Sequence, residues 1–122
     1  MLRSMFQVYV TESDKALPFY QKAFDAEIVC AYFNEDGTCA HAELSIYGQI
    51  FAIMESPAKE TNPGNTMQLC LHLGEENANE VYKIYERLKD GAQPHDPIGD
   101  SGYSKTHFSL VDKFGVDWCV FA

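Results

Sequence analysis

Two stretches of the chain carry apolar residues at a helical period. Ala16, Leu17, Tyr20, Ala23 and Phe24 recur at spacings of three and four, which places them on one face of a helix predicted over residues 14–24. Val81, Ile84, Tyr85 and Leu88 form the stripe of a second helix, predicted over residues 77–90. Thr11, Ser13 or Asp14 can cap the first helix. Asn77 and Glu80 have capping spacing for the second, and Gly91 is a natural stop. Pro18 has no N–H to donate, so the first helix is expected to start late or bend there.

Elsewhere the pattern alternates with period two. Strands are predicted over residues 5–10, 27–33, 38–47, 49–55, 67–73, near 93, 104–111 and 116–121. Asp36-Gly37 and Tyr47-Gly48 supply turns, and residues 95–102, rich in Pro, Gly and Asp, read as a loop. Residues 56–66 hold two prolines, a glycine and two asparagines, and read as a linker. The order is strand, helix, three strands, and then the same again. That is an internal duplication of one βαβββ unit, echoed by Tyr20 and Tyr85 in the helices and by Asp25 and Asp90 just past them. The expectation is an α+β protein, a single domain over residues 1–122. Its first unit covers about residues 1–56, its linker about 57–66 and its second unit about 67–122.

Composition narrows the function classes. The 122 residues are 46% hydrophobic and 22% charged, which suits a packed core rather than a disordered chain. A formal charge of −9 repels phosphate, so nucleic acid and anionic membranes are poor partners. No run approaches the ~18 apolar residues of a membrane helix. Residues 1–10 read as a strand rather than a leader. A cytoplasmic protein is expected, with Cys30, Cys39, Cys70 and Cys119 as reduced thiols.

Four stretches carry a family resemblance. They are Ala16-Leu17-Pro18-Phe19-Tyr20, His41-Ala42-Glu43-Leu44, Gly48 at the following hairpin, and Val111-Asp112-Lys113-Phe114-Gly115-Val116-Asp117-Trp118. With the order of elements, they resemble the vicinal oxygen chelate superfamily of glyoxalases, extradiol dioxygenases and bleomycin and fosfomycin resistance proteins. The resemblance is to its PhnB-like branch, also labelled 3-demethylubiquinone methyltransferase-like. It implies two four-stranded half-sheets curled into a U-shaped mixed sheet with the ligand inside, and a homodimer. The superfamily shares a scaffold and not a reaction, so function has to be argued at the site.

Metal-using relatives place ligands on the first, fourth, fifth and eighth strands. The resemblance carries those positions onto Met5, Ile53, Gln68 and Cys119, with Glu55 replacing Ile53 if the register slips by two. Such a quartet is a poor cage for a divalent ion. The expectation is a binding protein without the inherited metal, its ligand pocket formed by Met5, Gln7, Ile53, Gln68, Cys70, His72 and Cys119. Its partners would be a small organic ligand and a second copy of itself, with no cofactor. The alternative is a metal-dependent lyase or isomerase in which Glu55, His72 and His41 hold a divalent ion.

Other chemistry is sparse. His41 with Glu43, or Glu55 with His72, can act as an acid/base pair. Cys39-Ala-His41 and Cys70-Leu-His72 put a thiol and an imidazole on one strand face, though Cys-x-His is not an established zinc spacing. Tyr9, Tyr32, Phe33, Phe51, Tyr103, Phe108 and Trp118 fall on strands or on the loop over the ligand site; some can stack on a flat ligand and most read as core, with Trp118 packing the last strand under the second helix. His107 can touch a ligand but reads first as a surface histidine. No phosphate-binding glycine loop, nucleophile elbow or methyl-donor loop is present in the sequence.

Overall fold

A computed structural model describes residues 1–62, 64 and 66–122, so the predicted linker falls partly outside the described residues. The chain divides into two compact units, Met1–Thr61 and Asn62–Ala122. The first contains β1 (Phe6–Val10), α1 (Ser13–Phe24), β2 (Glu27–Phe33), β3 (Cys39–Ile46) and β4 (Gln49–Glu55). The second contains β5 (Leu69–His72), a 3₁₀ turn at Glu75–Asn77, α2 (Ala78–Leu88), β6 (Gln93–Gly99), β7 (His107–Val111) and β8 (Asp117–Phe121). Strand orders are β1-β4-β3-β2 and β5-β8-β7-β6. In both units the first strand runs parallel to the last and the other pairings are antiparallel. The expected α+β architecture of two βαβββ units is present, with the same connectivity in each.

Register decides which side chains meet the helix. In the first sheet Phe51 and Ile53 of β4 align with Phe6 and Val8 of β1, and with Leu44 and Ala42 of β3. Aligned residues project to the same face. Tyr20 of α1 packs edge-on against Phe51 at 5.1 Å, so this face is the one the helix covers. Tyr20, Ala42, Leu44, Phe51 and Ile53 are all buried there. Each large apolar side chain among them contributes roughly 1.5–3 kcal/mol. In the second unit Phe108 and Leu110 of β7 oppose Val120 and Trp118 of β8. Tyr85 of α2 meets Phe108 at 5.3 Å, and Val81, Ile84 and Leu88 complete that core.

The helix starts differ from expectation. None of Thr11, Ser13 or Asp14 caps α1 with its side chain. Its first N–H, on Ser13, donates to Glu55 Oε1 at 2.9 Å, and Ser13 Oγ donates to the same oxygen at 2.8 Å. The carboxylate that holds the helix N-terminus therefore comes from β4 rather than from the flanking sequence. Helix α1 runs unbroken through Pro18, which is exposed. Asn77 does not cap α2 either; its Nδ2 donates to the Leu73 carbonyl at 2.7 Å.

A second difference concerns residues 95–102. The predicted loop is shorter, because β6 continues to Gly99 with Asp96 opposite Ser109 and Gly99 opposite His107. Pro94 and Pro97 lower the strand signal. Here β6 is an edge strand with two register shifts, the setting in which proline is tolerated. Tyr47-Gly48 makes the expected hairpin, with φ of 49° and 87° at the two central residues, the twist a two-residue turn requires.

The segment between β7 and β8 is organised by one side chain. Asp112 is buried, and its Oδ1 accepts N–H bonds from Phe114 at 2.8 Å and Val116 at 3.1 Å. Its Oδ2 accepts from Trp118 Nε1 at 2.8 Å. Asp112 thus ties the turn to the largest residue of the second core. Asp112→Ala is expected to lower unfolding stability by about 2–4 kcal/mol, because it strands a buried indole N–H and two amide donors. Urea denaturation checks this, and an unchanged midpoint would contradict it.

Candidate functional site

Each sheet has a second face, turned away from its helix. In the first unit the registers place Gln7 of β1, Ala52 of β4, Glu43 of β3 and Cys30 of β2 in one row across that face. Tyr32 and His41 are aligned in the next. Glu43 is the centre of the polar cluster and is only 2% exposed. Arg3 grips it with both guanidinium nitrogens, each at 2.8 Å from a different oxygen. His41 Nε2 lies 2.9 Å from Oε1. The hydrogen bonds from Arg3, then that from His41, hold the Glu43 carboxyl down at about 2 against its desolvation. An ionised carboxylate only accepts, so Nε2 of His41 carries the proton in this contact, and in the neutral ring Nδ1 becomes the acceptor. The arrangement is a fixed imidazole with its carboxylate orienter, the geometry of a proton-transfer pair.

The second unit presents a different set. Cys70, Cys119 and Ser109 are aligned across β5, β8 and β7, and His72, Phe121 and His107 form the next row. His72 stacks on Phe121 at 4.4 Å, with planes 15° apart. The Tyr103 ring stands perpendicular to Phe121 at 5.3 Å and edge-on to His107 at 5.5 Å. Cys119 Sγ lies 3.5 Å from His107 Nε2 and 3.9 Å from the Tyr103 hydroxyl. Burial pushes the Cys119 thiol up to about 11, so it is protonated at neutral pH. Asp117 accepts from Gln68 Nε2 at 3.0 Å and pairs with His95 Nε2 at 3.0 Å. Next to the aromatic cluster is an open pocket of about 610 Å³, lined by His72, Glu75, Asp100, Tyr103, Ser104 and Lys105 among others.

The sequence-derived candidates fall into distinct places. Met5 precedes β1 and is half-buried, while Gln7 is exposed and donates to the Tyr9 hydroxyl at 3.2 Å. Ile53 differs from its expected place in a ligand pocket. It is fully buried on the helix side, because its partners Val8 and Ala42 face α1. A slip of two does not expose a ligand, since Glu55 also turns to α1 and is engaged by Ser13. His41 and Glu43 are brought together, whereas Glu55 and His72 lie in separate units. Cys70 and His72 lie on the open face of the second sheet with Cys119. Cys39 is committed elsewhere: its N–H donates to Ser13 Oγ at 2.7 Å and its thiol contacts the Ser13 carbonyl at 3.6 Å.

These placements bear on the metal that the resemblance implies. The inherited positions supply a thioether, a buried alkyl group, a neutral amide and a single thiol. That donor set does not fit a divalent ion. Among the described residues no three His, Cys, Asp or Glu side chains are grouped to hold one. Sequence reasoning missed Arg3, whose partner is forty positions away with no local signal, and the pocket residues Glu75, Asp100, Ser104 and Lys105, which sit in turns with no periodicity.

The Glu43 cluster has a pH signature. Its pKa is depressed in the fold from an ordinary 4.5 to about 2, so its stabilisation is complete above about pH 4.5 and is lost as pH falls toward 2. Glu43→Gln is expected to unfold more easily at neutral pH, with the gap to the unsubstituted protein narrowing across that window. Urea midpoints taken across it check this, and a constant gap would contradict it.

Residues 4–120 match the model of the glyoxalase/bleomycin resistance protein/dioxygenase superfamily. A PhnB protein from Bacillus cereus superposes with a TM-score of 0.81 at 25% identity, over 99% of this chain and 98% of that one. Protein PA1353 from Pseudomonas aeruginosa gives 0.81 at 15% identity, over 99% and 97%. The fosfomycin resistance protein FosX from Listeria monocytogenes, complexed with Mn(II) and sulfate, gives 0.69 at 17% identity, over 98% and 88%. No curated protein matches the chain. The duplicated βαβββ units, the matched span and the PhnB likeness agree: the chain belongs to the glyoxalase/bleomycin resistance protein/dioxygenase superfamily.

Proposed function

We propose that the protein binds a small organic molecule in the pocket of its second unit, without using the family's metal. The observation that carries this is the 610 Å³ pocket beside the His72–Phe121–Tyr103 ring cluster. Its volume is in the range of small-molecule sites, and the His72 and Tyr103 rings stand there among polar and charged groups that can orient a ligand. Tyr103 offers a ring face and a hydroxyl, and burial raises the pKa of that hydroxyl, so it serves as a neutral donor or acceptor. Lys105 and the carboxylates of Glu75 and Asp100 line the rim with both signs of charge. Of the expected ligand-pocket residues, His72 lines this pocket, and Cys119 lies behind it in contact with Tyr103.

A second reading, an enzyme, draws support from the His41–Glu43 contact at 2.9 Å. Arg3 locks the carboxylate, the carboxylate orients the imidazole, and Nδ1 of a neutral His41 can then accept a proton from a molecule on that face. The metal-dependent lyase or isomerase has the donor set against it.

Two measurements test the proposal. Amide chemical shifts recorded against a library of small aromatic and heteroaromatic compounds are expected to move at His72, Gly102, Tyr103 and Ser104, with Tyr103→Ala weakening the best binder about tenfold or more. Shifts confined to the His41–Glu43 face would favour the enzyme. Elemental analysis of the purified protein is expected to find well under one equivalent of zinc, nickel, iron or manganese. A full equivalent, lost on substituting His72 or Glu55, would overturn the metal-free reading.

A further inference from the structure

The thiols of Cys70 and Cys119 are opposite each other on neighbouring parallel strands. Aligned positions on adjacent strands lie about 5 Å apart, within the ~4.4–6.8 Å between Cα atoms that a disulfide spans. Alignment also sends both side chains to one face, so their Cβ vectors do not diverge. Their surroundings differ: Cys70 is exposed, whereas Cys119 is 6% exposed with His107 Nε2 at 3.5 Å from its sulfur. The other thiols have no such counterpart, since Cys30 is aligned with Glu43 and Cys39 with Phe33.

We propose that Cys70 and Cys119 form a dithiol site that a small-molecule disulfide oxidises to an intrachain disulfide. The thiolate of exposed Cys70 attacks one sulfur of the disulfide R–S–S–R. An S–S bond forms between Cys70 and one R–S group, and the other leaves as a thiolate that takes up a proton. Cys119 then gives its proton to His107 Nε2 and attacks the Cys70 sulfur. The protein disulfide forms and the second R–S group leaves as a thiolate, which is protonated in turn. Two protein thiols have given two electrons to one small disulfide, and two small thiols are released. The product staples edge strand β5 to β8 and converts the thiol beside Tyr103 into a disulfide sulfur. Transient disulfides of this kind are the ones expected where thiols are otherwise kept reduced.

The test treats the folded protein with glutathione disulfide at mildly alkaline pH, followed by alkylation, intact mass and peptide mapping. The expected product has lost two hydrogens, carries no glutathione and contains a Cys70–Cys119 link, which dithiothreitol reverses. Cys119→Ser is expected to stop at one stable glutathione adduct on Cys70, and Cys70→Ser to react at least tenfold more slowly at Cys119. A lasting glutathione adduct on Cys70 in the unsubstituted protein would overturn the proposal. So would a link through Cys30 or Cys39, or no reaction at Cys70 while Cys30 reacts. Circular dichroism of both variants confirms that a negative result comes from folded protein.

Discussion

The packing of one amphipathic helix on one face of a four-stranded sheet decides the side on which every other side chain of the unit lies. Tyr20 against Phe51 sets that side in the first unit, and Tyr85 against Phe108 sets it in the second. With period-two alternation, each contact assigns the neighbouring strands by register. Ile53 becomes core because Phe51 is core, and His41 and Glu43 become open-face residues because Leu44 and Ala42 are not. The site chemistry of both units follows from this division.

Polar groups near the core are held by charge-assisted contacts. Glu55 satisfies the first turn of α1, Asp112 satisfies the β7–β8 turn and the Trp118 indole, and Glu43 is gripped by Arg3. A buried carboxylate with several donors is stabilising when all are present and costly when one is removed, which explains why acidic residues can sit inside a chain that is already strongly acidic. These contacts also separate roles that look alike in sequence. Glu43 and Glu55 are both strand carboxylates near a histidine or a metal position, yet one orients an imidazole and the other anchors a helix.

The two open faces are chemically unlike. The first collects Arg3, Glu43 and His41, an ionic cluster suited to holding or moving a proton. The second collects rings and thiols, with a neutral Cys119 wedged between His107 and Tyr103. One duplicated backbone thus carries two surfaces, as expected when function is set by side chains grafted on a shared scaffold.

Apolar periodicity, with the turn residues between the runs, established the two helices, most strands and the duplication, because helix and sheet cores impose local repeats of 3.6 and 2 that survive in the order of residues; the motif resemblance then supplied the fold. It also put His41 and Glu43 two apart on one strand, so their meeting was readable from spacing. Tertiary structure decided what has no local period. Which face of β4 meets the helix depends on pairing with β1 and β3, so the orientation of Ile53 and Glu55 could not be read from their neighbours. The length of β6 depended on β7 holding a proline-bearing edge strand. Arg3 reaching Glu43, Cys70 opposing Cys119, and turn residues converging with His72 on one pocket all join positions far apart in the chain. Such contacts arise from chain closure and burial together, which single-residue preferences do not encode.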